Sequence, residues 1–278
     1  MIIIAESGST KTDWIFIHNK RIKANWQKKG FNPKYFPASV LENMVSSFIS
    51  SIKPEEVEQI YFYGSGCSSE ESKNVVSNVL TKFFSEAHIE VHHDLFGAAR
   101  ALFGNQTGIA SILGTGSSTC LVENGAITSA VPSLGYLLAD EGSGHHIGNL
   151  ILNAYFKNDL PAHLSQKFES DFEIDRDNFI TKLYAREKPN AYIASFTPFV
   201  IENQKNEAVE QLIKNAFRIF FNENILKYPD YKKYELGFSG SVAFLLKEQL
   251  ISVAGEFGLK VGKIIKNPVD ELVAYHSE

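Results

Sequence analysis

The sequence predicts an α/β protein built from two domains that open in the same way. Three observations lead there. Apolar, β-branched runs alternate with segments of helical spacing along the whole chain. The run "IIIAESGSTKTDWIFI" from residue 2 is a strand, a turn of small residues and a second strand, and "ASILGTGSSTCLV" from residue 110 repeats that order. The chain has 278 residues, more than the roughly 100–200 of one ordinary domain.

The elements follow in order. Residues 2–5 and 14–17 are short apolar strands, and Ile22, Ala24 and Trp26 alternate with polar neighbours as a third, turned by His18-Asn19-Lys20. Ser39 reads as the N-cap of a helix whose apolar face is Leu41, Met44, Val45 and Phe48. "IYFYGSG" (60–66) is a buried strand ending in a glycine turn, and Ser69 caps the amphipathic helix after it. "IEVHH" (89–93) is a strand, and a helix over 95–103 starts just after Asp94. "GNQTG" (104–108) is turn-rich and marks the domain boundary. The second half holds strands around Gly114 and the Asn124-Gly125 turn, then helices over 148–156, 177–186, 193–203 and 207–226. A strand over 234–238, a helix over 243–256, a strand over 260–267 and a last helix opened by Pro268 complete it. The domains are thus 1–105 and 106–267.

Composition excludes several classes. A net charge of −5 leaves no general attraction to nucleic acid or anionic membrane. Cys67 and Cys120 are the only cysteines, too few for a disulfide framework and suited to a reducing, cytoplasmic setting. No apolar stretch is long enough to span a membrane. Zinc spacing is absent, because there is no Cys-x-x-Cys and the histidine pairs 92–93 and 145–146 are adjacent.

Four Gly- and hydroxyl-rich loops follow apolar strands: "ESGSTKT", "GSGCSS", "GTGSST" and "SGSVA". Small residues let backbone N–H groups approach an anion, and Ser or Thr hydroxyls add donors. Two matched turns in duplicated domains can grip a polyphosphate from both sides. Neither the Walker loop nor the dinucleotide fingerprint is present, because Lys11 lacks the preceding Gly and the other loops lack the third Gly. Glu6, Asp13, Asp94, Asp140 and Glu141 are the acidic candidates. Asp94, at a strand end, reads either as a helix cap or as a general base for an alcohol, the one acid–base group that phosphoryl transfer to a hydroxyl needs. Asp140 reads either as a cap or as a grip on a polar ligand.

The ordered set "ESGSTKTD", "HHDLFGAARA", "ILGTGSS", "SLGYLLADEGSGHHIG" and "FSGSVA" resembles the BadF/BadG/BcrA/BcrD ATPase family, in its N-acetylglucosamine kinase-like branch. That family lies within the actin/hexokinase/Hsp70 superfamily, and the resemblance spans nearly the whole chain. It implies two duplicated ribonuclease-H-like domains with ATP and Mg²⁺ between them, and a final helix, 268–278, packed onto the first domain. The implied activity is transfer of phosphate to the 6-hydroxyl of N-acetylglucosamine or a related amino sugar. Thr10, with Gly8, Ser9 and Lys11, would meet the ATP phosphates. Gly114, Thr115, Gly116 and Ser117 would form the second phosphate loop, and Gly240 and Ser241 would lie by the adenosine. Glu6 would hold the magnesium through its water shell. Asp94 matches the catalytic base, Asn32 and Ser65 match sugar-binding positions, and Ser133, Leu134, Gly135 and Asp140 match the block lining the sugar pocket. The partner implied is a small sugar, and the resemblance also admits a homodimer.

The sequence departs from the family at three places. Ser7 stands where many members have Gly, and Ser takes positive φ less freely. Ser133-Leu134-Gly135 replaces a frequent Gly-Trp-Gly, and Ala139 replaces the Gly before Asp140. Two other readings are an ATPase activator of a radical dehydratase, which needs cysteines for an iron–sulfur cluster, and a non-catalytic sugar sensor, which would have no use for Asp94.

Overall fold

The computed structural model describes residues 1–8 and 10–277. The chain divides into two compact units, Met1–Gln106 with Asn267–Glu278, and Thr107–Lys266.

The first unit runs β1 (Ile2–Ser7), β2 (Lys11–His18), β3 (Arg21–Lys29), α1 (Ala38–Ile49), β4 (Gln59–Gly64), α2 (Glu70–Phe83), β5 (His88–His93) and α3 (Asp94–Phe103). Its sheet has the order β3-β2-β1-β4-β5, with β1, β4 and β5 parallel and the β1–β2–β3 meander antiparallel. The second unit contains β6 (Gly108–Leu113), β7 (Ser117–Glu123) and β8 (Ala126–Ala130). Helices α4 (Gly144–Phe156), α5 (Ala162–Phe172), α6 (Phe179–Tyr184), α7 (Pro189–Ala194), α8 (Thr197–Glu202) and α9 (Glu207–Glu223) follow. It ends with β9 (Leu236–Ser239), α10 (Ser241–Leu245), α11 (Lys247–Glu256) and β10 (Val261–Ile265). Its sheet order, β8-β7-β6-β9-β10, is that of the first unit. The copy extends to detail. Asn19-Lys20 and Asn124-Gly125 turn the two hairpins, all four residues at positive φ, which is the backbone of the two-residue turn that matches strand twist. Each hairpin slips register two residues before its Asn, at Phe16/Ile17 and at Leu121/Val122.

Each unit has its own core. In the first, Trp14 and Phe16 on β2 meet Phe48 of α1, Phe62 on β4 meets Trp14, and Trp26 is stacked on Phe48 at 5.3 Å and 8°. In the second, Phe217, Phe220 and Phe221 of α9 and Phe238 of β9 are fully buried beside Tyr155, Phe168, Phe196 and Phe199.

Several helix ends differ from the sequence expectation, each for a local reason. Helix α1 is preceded by Pro37 and not capped by the Ser39 side chain. Helix α4 begins at Gly144, four residues early, because Ser143 caps it through the His146 N–H at 3.2 Å. The stretch 193–203 is two helices, since Pro198 opens α8 and cannot donate inside a longer one. The stretch 243–256 breaks at Leu246, φ −112°, which is fully buried.

Helix α12 (Val269–Ser277) belongs to the first unit. His276 stacks on Tyr61 at 3.7 Å, and its Nε2 lies 2.7 Å from the Tyr63 hydroxyl. Arg100 of α3 donates to that hydroxyl at 2.7 Å, so the hydroxyl proton goes to His276 and the imidazole proton sits on Nδ1. Burial, Arg100 and His92 push His276 down to about 4, against a pull from Glu90. Its folded value lies below the ordinary 6.5, so the unfolded chain takes up the proton first. The stability this adds is complete above about pH 6.5 and is lost as pH falls toward 4. His276→Gln keeps an acceptor without a titration. Urea unfolding at pH 7 and pH 5 is expected to show a loss smaller in the variant than in the wild type by about 1 kcal/mol.

Candidate active site

Strand register places the candidate residues of the first unit. One row crosses all five strands, Lys28, Thr12, Ser7, Gly64 and His93, and the next holds Gln27, Asp13, Glu6, Tyr63 and His92. Everything that follows the parallel strands therefore emerges at one edge of the sheet: Gly8 to Lys11 after β1, Asn32 after β3, Ser65 after β4 and Asp94 after β5. Ligands of open α/β sheets bind outside such strand ends.

Ser7 holds this edge together. It is fully buried and extended, within β1, so no positive φ is demanded of it. Its Oγ lies 2.7 Å from Thr12 Oγ1, donates to the Phe31 carbonyl at 2.9 Å and accepts the Phe31 N–H at 3.1 Å. The hydroxyl thus ties the base of the first glycine turn to the segment that carries Asn32, a link a Gly could not make. In the same turn Gly8 N–H donates to Lys11 O at 2.9 Å, and Gly30 N–H donates to Thr10 O at 3.0 Å. Ser9 lies outside the described residues. Ser65 N–H donates to Ser7 O at 2.8 Å, which brings the loop after β4 to the same place.

The carboxylates divide. Asp13 is satisfied, by Lys11 at 2.6 Å and Gln27 at 2.7 Å. Glu6, its cross-strand neighbour, has no hydrogen-bond or ion-pair partner among the described residues. Burial first, then Asp94 and Asp13, push it up to about 8, with Lys11 pulling the other way. Asp94 is one-fifth exposed and lies 3.0 Å from His93 Nδ1, and its Oδ1 accepts the Leu95 N–H at 2.9 Å. Burial raises its pKa, against His93 and the backbone bond. The N-cap of α3 is His93, whose Nδ1 accepts the Leu95 N–H at 3.3 Å, so Asp94 is the first helical residue and not the cap that the sequence offered as one of its two readings. Among the described residues no three His, Cys, Asp or Glu side chains converge to ligate a metal directly. What this edge offers a cation is the unpartnered Glu6 carboxyl within reach of two other acids. Cys67 and Cys120 are buried, and burial drives both thiols up to about 12.

The second unit gathers its candidates at the equivalent edge, where Ile112, Ser239 and Ile265 are in register. Gly114 N–H donates to Gly116 O at 3.0 Å, closing the second turn, and the first turn of α4 donates into it, Gly144 to Gly114 O at 2.8 Å and His145 to Thr115 O at 3.0 Å. Gly240 packs on the Leu113 carbonyl and Gly114, so Ser241, at the start of α10, stands beside the same turn. Asp140 accepts the Ser117 N–H at 3.0 Å, and a Cβ at Gly116 would press on its carboxylate at 2.8 Å. Burial raises the Asp140 pKa, opposed by the Ser117 bond and His145. Asp140 is thus fastened to the second glycine turn, and caps no helix: Ser143 does that. Ser133 and Leu134 are exposed, and Gly135 makes the turn that returns the chain toward Asp140. Sequence reasoning missed two residues here, Ser7 as a tie and Ser143 as the cap. The Ser-Gly-His-His run carried a signal for the second.

No helix among the described residues is long and apolar enough to cross a membrane. Neither a protein-family model nor a curated protein matches the chain. Among solved structures, a candidate N-acetylglucosamine kinase of Porphyromonas gingivalis is 35% identical, over 100% of this chain and 99% of that one, with a TM-score of 0.93. A candidate N-acetylglucosamine kinase of Chromobacterium violaceum is 16% identical over 99% and 98%, with a TM-score of 0.72. A ROK-family glucokinase of Streptomyces griseus, in complex with glucose and AMPPNP, is 12% identical over 99% and 97%, with a TM-score of 0.54. The last two share the fold.

The raised Glu6 has a thermodynamic sign that can be checked. Between its ordinary value of 4.5 and about 8 the folded protein binds the extra proton, so stability falls as pH rises through that window. Glu6→Gln removes the penalty. Scanning fluorimetry is expected to show a Tm gain of about 3–6 °C at pH 8.5 and almost none at pH 5.

Proposed function

The chain belongs to the actin/hexokinase-type sugar kinases, and on that premise we propose that it is an ATP-dependent amino-sugar kinase acting at the 6-hydroxyl, with N-acetylglucosamine as the reference substrate. The observation that carries this reading is Asp94. It is a partly buried carboxylate with raised proton affinity, at the strand edge that also holds the first glycine turn and the unpartnered Glu6.

Each residue then has a task. Asp94, oriented by His93 and the Leu95 N–H, takes the hydroxyl proton as the oxygen attacks the γ-phosphoryl group. Its raised basicity helps that transfer. Asn32 and Ser65 hold the sugar, and the buried Ser65 Oγ, which has no hydrogen-bond partner among the described residues, is suited to bond a sugar hydroxyl. The turn of Gly8, Ser9, Thr10 and Lys11 is suited to phosphate groups, as in its own unit is the turn of Gly114, Thr115, Gly116 and Ser117. The Gly8 and Gly114 N–H groups close the turns and the Ser117 N–H goes to Asp140, so the Thr10, Thr115 and Ser117 hydroxyls are the donors offered. Gly240 and Ser241 meet the adenosine, and Ser133, Leu134, Gly135 and Asp140 border the sugar side, Asp140 also fixing the Ser117 N–H. Glu6 would hold magnesium through its water shell, and that ion would supply charge neutralisation to the transferred phosphoryl group. Catalysis is otherwise positional and electrostatic. The protein is expected in the cytoplasm.

The test is ADP release with a panel of N-acetylglucosamine, glucosamine, N-acetylmannosamine and glucose. At least one amino sugar is expected to raise release well above the sugar-free rate, and a flat panel defeats the reading. Asp94→Asn is expected to lower kcat by about 10²–10⁴-fold in a folded protein, with KM values little changed. Near-full activity in that variant would remove Asp94 from its role.

A further inference from the structure

Tyr63 is fully buried near the end of β4, yet it keeps a hydroxyl where a phenylalanine ring would fill the same space. A buried hydroxyl costs stability unless it is satisfied, and here two helices satisfy it. Arg100 of α3 donates to it at 2.7 Å, and it donates to His276 Nε2 of α12 at 2.7 Å. The Arg100 side chain is itself only 17% exposed. Its guanidinium lies 4.4 Å from the Phe96 ring centre and 5.4 Å from that of Tyr275, with Glu90 4.0 Å away. His92 completes the surroundings, its ring stacked at 5.8 Å from that of Tyr63. A fully satisfied buried network rigidifies the elements it joins and specifies one arrangement of them.

The arrangement specified here is that of α3. Asp94, Gly97 and Arg100 are spaced three residues apart, so they follow one another along one side of the helix. The middle one, Gly97, lies so close to Tyr63 that a Cβ would come within 2.9 Å of the ring. Arg100, one turn on, is tied to the hydroxyl of the same side chain. Tyr63 thus holds α3 at two points, which fixes its rotation as well as its distance from the sheet. Asp94 lies one turn to the other side of Gly97. Along its own strand Tyr63 leads through Gly64 into Ser65. One side chain therefore governs both the helix that bears Asp94 and the strand that releases Ser65, and α12, packed on α3, closes the network.

We propose that Tyr63 is a positioning residue of this site, whose hydroxyl, held between Arg100 and His276, keeps Asp94 in the orientation that takes the proton from the substrate. The proposal rests on the sugar-kinase reading and makes the last helix of the chain part of that alignment.

Tyr63→Phe keeps the ring against Gly97 and removes only the hydroxyl. In the ADP-release assay its kcat, with whichever sugar the wild type turns over, is expected to fall about tenfold, with the KM for ATP unchanged. Arg100→Met is expected to show the same loss and the double variant no further loss, because the two groups act as one unit. His276→Gln keeps an acceptor for the hydroxyl and is expected to retain most of kcat, whereas His276→Leu is expected to match Tyr63→Phe. A Tyr63→Phe protein with a lowered Tm and an unchanged kcat overturns the proposal, since the hydroxyl would then serve the fold alone. A loss that Arg100→Met and His276→Leu do not share overturns it too. If no sugar is turned over, the kinase reading falls, and the Leu95 amide, which donates to Asp94 Oδ1, still decides the geometry. Its hydrogen exchange, followed by NMR, is expected to quicken about tenfold in Tyr63→Phe relative to the amides of α2. An unchanged ratio overturns the positioning role.

Discussion

Backbone register is the constraint on which the rest of the first unit depends. Side chains directly opposite in a sheet share a face, and a slip of one residue would turn each of them over. The row Gln27, Asp13, Glu6, Tyr63 and His92 shows what that enforces. Two carboxylates become neighbours, one paired with Lys11 and hydrogen-bonded by Gln27, the other without a hydrogen-bond or ion-pair partner among the described residues. Further along the row Tyr63 receives Arg100 and meets His276, so the row that positions the acids also fastens the last helix. The next row ends each parallel strand at one edge and so releases the glycine turn, the Ser65 loop and Asp94 together.

The duplicated half of this design was legible in the sequence because it is local. Strand alternation, the Asn-led hairpin turns and the apolar faces of α2 and α9 are written within a few residues of one another, and the repeat doubled their weight. Ser7 was harder. As a letter it stood in place of a Gly and suggested strain. In the fold it is extended, and its hydroxyl joins Thr12 to Phe31, a partner 24 positions away. No local pattern encodes such a contact. The same holds for Asp140, whose acceptor bond to Ser117 spans 23 positions and replaces the helix-capping role that its neighbours suggested.

The insertion between β8 and β9 shows the other limit. Helix α5 buries only Leu164 and Phe168, one turn apart, so its periodic signal is two residues deep. The expected helix over 193–203 runs the end of α7 into α8, because the apolar spacing there is continuous and only Pro198 marks the break. These helices close the larger of the two cores, around Tyr155, Phe168, Phe196 and Phe199, through ring contacts between residues far apart in the chain.

Charge divides the working edge of the first unit into two parts. Glu6 near the end of β1, Asp13 near the start of β2 and Asp94 just after β5 act on one another, while Lys28, Lys29 and Lys34 follow the course of β3 into the Asn32 turn. With a net charge of −5 the chain as a whole repels anions weakly, so any attraction for an anionic ligand is local. Exposed charges are screened over about 8 Å at physiological ionic strength. A surface cation such as Lys34 therefore acts on a group placed next to it and steers little from afar. The acidic cluster is buried and is screened less. Burial raises the proton affinity of Glu6 first, and the charges of Asp94 and Asp13 add to it. The basic turn is set apart from the acidic cluster by the neutral Asn32 and Ser65, which are the two residues that an uncharged sugar ring would occupy.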